Sequence, residues 1–139
     1  MSKPVAIAKG IAFAFPDVCQ TPVPGSSPVP IPYPNIAQLD QASGITDAGG
    51  KELLIGSSGD YALLDGSRVD TSSGDEAGSA GGVSSGGTKG RCEIKGGSAK
   101  VVYGPDRKGL ARFLEVTEQN GGNASGMVLS AFPMVLVGD

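Results

Sequence analysis

Asp75 and Glu76 are adjacent carboxylates inside Ser73-Gly-Asp-Glu-Ala-Gly78, and paired carboxylates are common equipment for general acid–base catalysis. The spacing is wrong for that work. Neighbours in an extended chain project to opposite faces, so these two cannot act on one bond. Set among glycine and serine, they are expected instead to fix a turn and accept backbone N–H groups. A second stretch, Gly81-Gly-Val-Ser-Ser-Gly-Gly-Thr-Lys89, has the composition of a phosphate loop but not the G-x-x-x-x-G-K-[ST] order, and no helix is expected after it. The chain has no histidine, so a serine or cysteine nucleophile would lack its usual base. Cys19 and Cys92 are the only thiols. They are weak metal candidates, because two thiolates fill half of the four positions of a structural zinc. Burial as small apolar residues is the simpler expectation. The residues thus predict a protein that is not an enzyme and holds no cofactor.

Charge narrows the partners. Eleven Lys and Arg stand against 14 Asp and Glu, a net charge of −3, and the basic residues form no cluster. Binding to nucleic acid or to anionic membrane depends on grouped cations, so both are excluded as expectations. The apolar stretches fall far short of the ~20 residues a membrane helix needs. Val5 to Phe15 is apolar, but Pro16-Asp17 follows with no small-residue cleavage site, so general secretory export is not expected. Two cysteines are too few for a disulfide scaffold, which fits a reduced cytosolic setting.

The elements that would position these residues are short. The 139 residues suit one domain, and 23 Gly and 10 Pro punctuate the apolar runs. That pattern predicts a mostly β protein with little helix. Expected strands are Val5 to Phe15, broken at Lys9-Gly10, then Glu52 to Ile55 and Tyr61 to Leu64 as one hairpin. Cys92 to Lys95 and Lys100 to Tyr103 read as a second hairpin, Lys108 to Gln119 as a strand, and Met127 to Leu129 and Met134 to Val137 close the chain. Lys51-Glu-Leu-Leu-Ile-Gly56 with Ala62-Leu-Leu recurs about 48 residues later as Ala99-Lys-Val-Val-Tyr-Gly104 with Leu110-Ala-Arg. Repeated β units of this size suggest hairpins set about a common axis. Between the first strand and the first repeat, residues 21–37 hold Pro28, Pro30, Pro32 and Pro34 alternating with Val29, Ile31 and Tyr33. Proline forces extension and cannot donate within a central strand, so the segment is expected to be an edge or a strap with one apolar face. Pro30, Tyr33 and Pro34 are expected to pack on the body.

Three blocks then carry a resemblance. The first is Phe15-Pro16-Asp17-Val18-Cys19, followed by Pro28-Val-Pro30-Ile-Pro32-Tyr33-Pro34-Asn35-Ile-Ala37. The second is Ser73-Gly74-Asp75-Glu76-Ala-Gly78, and the third runs from Ala111-Arg112 through Thr117-Glu-Gln-Asn120 to Asn123-Ala124. Their composition and order resemble the PAAR-like domain family over nearly the whole chain. The resemblance implies a small cone of β-hairpins with pseudo-threefold symmetry in a single domain spanning 1–139. It implies a structural role: capping the trimeric β-helical spike, a valine–glycine-repeat protein, of a type VI secretion system or similar contractile injection system, one tip per trimer. Such a tip sharpens the spike for membrane puncture and can dock an effector.

Further expectations depend on that resemblance. Such a tip would be cytoplasmic until loaded on the apparatus, then delivered outside the cell or into a target cell. No toxin region follows Val137-Gly-Asp139, so any payload is expected to be non-covalent or to sit elsewhere on the needle. Many PAAR tips pin their apex with zinc on His and Cys; this chain shows Phe113 and Gln119 in the closing block, so no zinc is expected and Phe113 is the candidate for apolar apex packing. An adaptor for a separately encoded toxin is the alternative role, and a small hydrolytic effector a weaker one.

Overall fold

In the computed structural model the described residues are 2–45, 51–56 and 59–138. They form thirteen strands: β1 (Lys3–Val5), β2 (Ile11–Val23), β3 (Ser26–Gln38), β4 (Leu54–Ile55), β5 (Asp60–Tyr61), β6 (Arg68–Val69), β7 (Gly81–Gly82), β8 (Cys92–Ile94), β9 (Val102–Tyr103), β10 (Lys108–Gly109), β11 (Val116–Gln119), β12 (Ala124–Leu129) and β13 (Phe132–Val137). One 3-10 turn at Leu39–Gln41 is the sole helical element among the described residues. The chain is mostly β, as its Gly and Pro punctuation predicts.

Three short segments wind about one axis and hydrogen-bond in a ring. The Ala6 N–H donates to the Ala111 carbonyl at 3.0 Å, Ala111 to Leu63 at 2.9 Å, and Leu63 back to Ala6 at 3.0 Å. Two residues further along each segment the ring repeats: Ala8 donates to Tyr61, Asp65 to Gly109 and Phe113 to Pro4, each at 2.8 Å. Between the two rings lie the antiparallel bridges Ile7–Ala62, Leu64–Leu110 and Val5–Arg112. Each segment thus stands in the same relation to the next, which is pseudo-threefold symmetry in the backbone.

The relation extends in both directions from the rings. On one side, β4 pairs with β5 (Leu54–Tyr61, Ile55–Asp60), β9 with β10 (Val102–Gly109, Tyr103–Lys108) and β13 with β1 (Leu136–Pro4, Val137–Lys3). The first two are the repeat read from the sequence, 48 residues apart; their third member is assembled from the first and last strands. Part of the β4–β5 connection lies outside the described residues. On the other side, β2–β3, β6–β8 and β11–β12 pair in matching register, beginning at Ile11–Gln38, Arg68–Glu93 and Val116–Met127. Their sheet runs β3-β2-β12-β11-β8-β6, with β7 against β2, and Ser43 after β3 bridges Arg68 of β6. That bridge brings the sheet's two ends together near the axis, while the outer half of β3 remains an edge that its prolines keep from pairing.

The core repeats in threes as well. Leu39, Ile94 and Val128 hold equivalent places, as do Ala37, Cys92 and Gly126, and all but Gly126 are fully buried. Cys92 therefore sits where its counterparts are Ala and Gly, a position that admits only small side chains, and is part of the apolar cluster with Leu63 and Val69. A second cluster gathers Val5, Ile7, Ala62, Leu64 and Leu110, with Ile55 and Tyr103 against it.

Four expectations need correction. Residues 21–37 are not a separate strap. They are the outer half of the β2–β3 hairpin, turned at Pro24-Gly25 with Gly25 at φ +71°, and Val29 pairs with Thr21 and Tyr33 with Asp17. As edge residues without N–H groups, Pro30, Pro32 and Pro34 lie exposed, so Pro30 and Pro34 do not pack on the body; Tyr33 is half-buried. Lys108 to Gln119 is not one strand. A turn with Leu114 at φ +69° interrupts it, closed by the half-turn bond from Glu115 N–H to the Arg112 carbonyl and the 3.0 Å Arg112 Nε–Glu115 Oε2 ion pair. Leu110 and Arg112 are consequently buried while Leu114 and Val116 are exposed. β8 does not make a hairpin with β9: it pairs with β6 and β11, because Gly97 lies against the backbone of Gly109 instead of turning the chain. Phe113 is half-buried and belongs to neither apolar cluster.

The rings depend on side chains that fill the axis, which gives a direct test. Leu63→Ala, at a fully buried ring position, is expected to destabilise the protein by about 2–5 kcal/mol in urea unfolding. Met134→Ala, at a side chain 86% exposed, is expected to change stability by less than about 0.5 kcal/mol. Equal effects would contradict an axial core.

Candidate functional site

The motif residues converge on a single buried polar knot at one end of the seven-stranded sheet. β2 supplies Asp17 and Cys19, which project to the same inner side two residues apart. A register shift between Ala14 and Asp17, at the cis Phe15–Pro16 peptide, aligns that side with Tyr33 and Ile31 of β3. Phe15 and Pro16 themselves are exposed. Asn35 enters from β3, Asp75 from the loop after β6, and Asn120 and Asn123 from the loop between β11 and β12. Asp17, Asn35, Asp75 and Asn120 are fully buried.

Asp17 receives amide donors from three directions. Asn35 Nδ2 donates at 3.1 Å, Asn120 Nδ2 at 3.2 Å, and Asn123 Nδ2 also donates to it. Each amide is fixed elsewhere too. Asn35 donates to Ser72 Oγ at 2.8 Å and accepts from Gln119 Nε2 at 2.8 Å. Asn120 donates to the Gly87 carbonyl and accepts the Gly90 N–H, both at 2.8 Å. Asn123 donates to the Val18 carbonyl at 3.0 Å and accepts the Ser84 N–H at 2.7 Å. Asp75 accepts the Lys89 N–H at 3.1 Å. Every buried side-chain polar atom among the described residues is partnered, the condition under which a buried polar network holds its geometry.

Glycine makes the close approach possible at two motif positions. A side chain at Gly78 would strike Cys19 Cβ and the Tyr33 ring, and one at Gly74, whose φ is +109°, would strike the Pro34 carbonyl. Glu76 lies exposed and accepts the Gly74 N–H at 2.7 Å, so the adjacent carboxylates Asp75 and Glu76 face apart and serve the turn.

The electrostatics follow from two carboxyls sharing a buried space. The ligand atoms of Asp17, Cys19 and Asp75 lie within 4.8 Å of one another. Burial, then the hydrogen bond and charge of Asp17, push Asp75 up to about 6. Burial opposes ionisation of Asp17 as well, but hydrogen bonds from Asp75, Asn123, Asn120 and Cys19 outweigh it and hold Asp17 below its ordinary value. Below about pH 6 the pair therefore holds one proton, carried on Asp75. Burial and the two carboxyls push the Cys19 thiol up to about 12, and burial with Glu93 does the same for Cys92.

A protonated thiol is neither a nucleophile nor a ready metal ligand. The trio offers three donors of which two are carboxyls already engaged by amides, so this donor set does not fit the four-ligand, imidazole and thiolate chemistry of structural zinc. Cys92 lies in the apolar core and does not join Cys19. Of the sequence-predicted residues, the knot unites Asp17, Cys19, Asn35, Asp75 and Asn120, lined by Gly74 and Gly78. It excludes Phe15, Pro16, Pro30, Pro32, Pro34, Glu76 and Phe113. Sequence reasoning missed Ser72, and it quoted Gln119 and Asn123 in the closing block without assigning them to the site.

A family model described as the toxin PAAR-like domain matches residues 10–126. No curated protein and no solved structure matches the chain.

The knot makes stability depend on pH. A folded-state pKa raised from 3.8 to about 6 means that folding favours protonated Asp75. That contribution is complete below about pH 4 and is lost as pH rises through 6. Asp17, shifted the other way, loses its contribution as pH falls below its unfolded value. Wild-type stability is expected to drop by on the order of 1 kcal/mol between pH 5 and pH 7.5. Asp75→Asn keeps an acceptor for Lys89 and is expected to flatten this slope in urea titrations. An equally steep decline in the variant would remove Asp75 as its source.

Proposed function

The chain belongs to the toxin PAAR-like domain family, and from that premise we propose that it is a non-catalytic spike tip, capping the trimeric β-helical spike of a contractile injection system. The observation that carries this reading is the cyclic pairing of Ala6, Leu63 and Ala111. A homotrimer ends in three equivalent surfaces, and a monomer can answer all three only if it repeats one local structure three times about its own axis. A truncated β-helix also exposes unpaired backbone and an apolar core cross-section, both of which need a β-rich cover. One tip per trimer is the stoichiometry this geometry supports. Before loading, the protein resides in the cytoplasm, and it leaves the cell with the needle.

The polar knot has a mechanical part in this reading. It ties three motif blocks far apart in sequence into one rigid end, the part that hydrogen bonds play here and that zinc plays in many PAAR tips. We accordingly propose that no zinc is resident. Elemental analysis of protein purified without chelator is expected to find well below one equivalent; a stoichiometric metal that survives dialysis would refute this.

Two hollows among the described residues are lined by Arg91, Glu93, Lys95 and Glu118, and by Lys9, Asp40, Asp60 and Tyr61, none of them in the knot.

Mixing the protein with its cognate spike and measuring mass by light scattering tests the proposal. A complex of one tip with three spike chains is expected, weakly dependent on salt because apolar and backbone contacts dominate. A 3:3 complex, or none at physiological salt, would overturn the capping role.

A further inference from the structure

We infer that the ribbon of β1 and β13, which lies outside the family-matched residues, supplies the third of three equivalent docking positions for a threefold partner. This inference rests on the capping proposal and specifies the surface involved.

The two ends of the symmetric body are unlike. At the knot end the threefold relation is lost: β2 and β3 run on as a hairpin of two 13-residue strands that β6–β8 and β11–β12 do not match, and Asp17, Asp75 and Asn120 make unlike contacts. At the other end all three units persist as two-stranded ribbons, β4–β5, β9–β10 and β13–β1. The side wall is also asymmetric. Ile11 and Val116 have Arg68 as their counterpart, and Met127 has Gln38 and Glu93. A partner with three identical chains therefore finds repeated chemistry only at the ribbon end.

Within that end, matching register makes Leu54, Val102 and Leu136 equivalent, each opposite the residue whose carbonyl serves the second hydrogen-bonded ring: Tyr61, Gly109 and Pro4. Their neighbours Ile55, Tyr103 and Val137 turn inward to the apolar cluster. The trio turns outward. Leu54 is 56% exposed, Leu136 62% exposed and Val102 half-buried. All three are aliphatic, whereas the equivalent side-wall positions mix charge with apolar character. Three aliphatic groups related by the axis fit three copies of one apolar site, one on each spike chain.

The family match covers the ribbons carrying Leu54 and Val102 but begins after β1 and ends before β13. Residues 10–126 would thus present two of the three positions. The third depends on Lys3–Val5 holding Phe132–Val137, with Met134, 86% exposed, beside Leu136.

The test uses the full chain and its cognate trimeric spike, with affinity measured by calorimetry and mass by light scattering. Leu136→Lys and Leu54→Lys each change an exposed side chain and are expected to retain the wild-type β spectrum and melting temperature. Each is expected to weaken spike binding at least tenfold, and by similar factors. Leu136→Ser, a milder change, is expected to weaken binding less but measurably, and covers the case in which lysine disturbs the ribbon. Met127→Lys on the side wall is expected to bind as wild type. If wild type forms the one-to-three complex and Leu54→Lys weakens it while neither Leu136 variant does, the third position is not on β13 and the inference fails with the capping role intact. If Met127→Lys alone weakens it, the ribbon end is the wrong face. If wild type forms no complex, both the capping role and this inference are overturned.

Discussion

Three backbone amides, on Ala6, Leu63 and Ala111, each donate to the next around a closed ring, and the arrangement of the molecule follows from satisfying them together. The segments are fully buried at these positions, so an amide without its partner would forfeit a hydrogen bond inside an apolar core. No pair can satisfy the ring alone. Each segment donates to one neighbour and accepts from the other, so all three must be present in one register. From that constraint come the three ribbons on one side, the three longer strand pairs on the other, and the core positions that repeat in threes. Small residues at Ala6 and Ala111 allow the segments to meet near the axis, with Leu63 filling the remaining space.

The knot solves a different problem at the opposite end. Where the threefold repeat stops, loops of unlike length must be held without an apolar core to hold them. Amides on Asn35, Asn120 and Asn123 surround one buried carboxylate, and each reaches on to a separate loop or strand. The perturbed carboxyls and the buried thiol are engaged by partners within the knot. Asp17 and Asp75 share a space in which Asp75 keeps its proton up to about pH 6, and Cys19 lies between them as a neutral filler.

Much of this was legible in the residues. Gly and Pro punctuation gave the β class, and the similarity of Lys51–Gly56 to Ala99–Gly104 located two equivalent ribbons. The third was hidden because it is split between Lys3–Val5 and Phe132–Val137, which share no motif with the other two. The hairpin expected for Cys92–Tyr103 failed because Gly96-Gly97 looks like a turn but serves close packing against Glu115 and Gly109. Motif blocks pointed to Asp17, Asn35, Asp75 and Asn120 individually. That they meet was not readable, since the bonds joining them span from 18 to more than 100 residues. The proline-rich segment read correctly as extended edge and wrongly as packed, because alternation of Val, Ile and Tyr specifies a face without saying how deeply it is covered.

The pairing of β1 with β13 has a consequence for how the chain acquires its shape during synthesis. Two sides of the ring are encoded within the interior of the sequence, but the ribbon on the Ala6 side needs a strand from near the start and another translated more than 120 residues later. Contacts of such separation form late, after the entropy of closing the intervening loop has been met. On the ribosome, the early strand must therefore wait with its apolar face uncovered while the rest of the protein is made. A chain that ends before Phe132 leaves β1 without the strand that covers it.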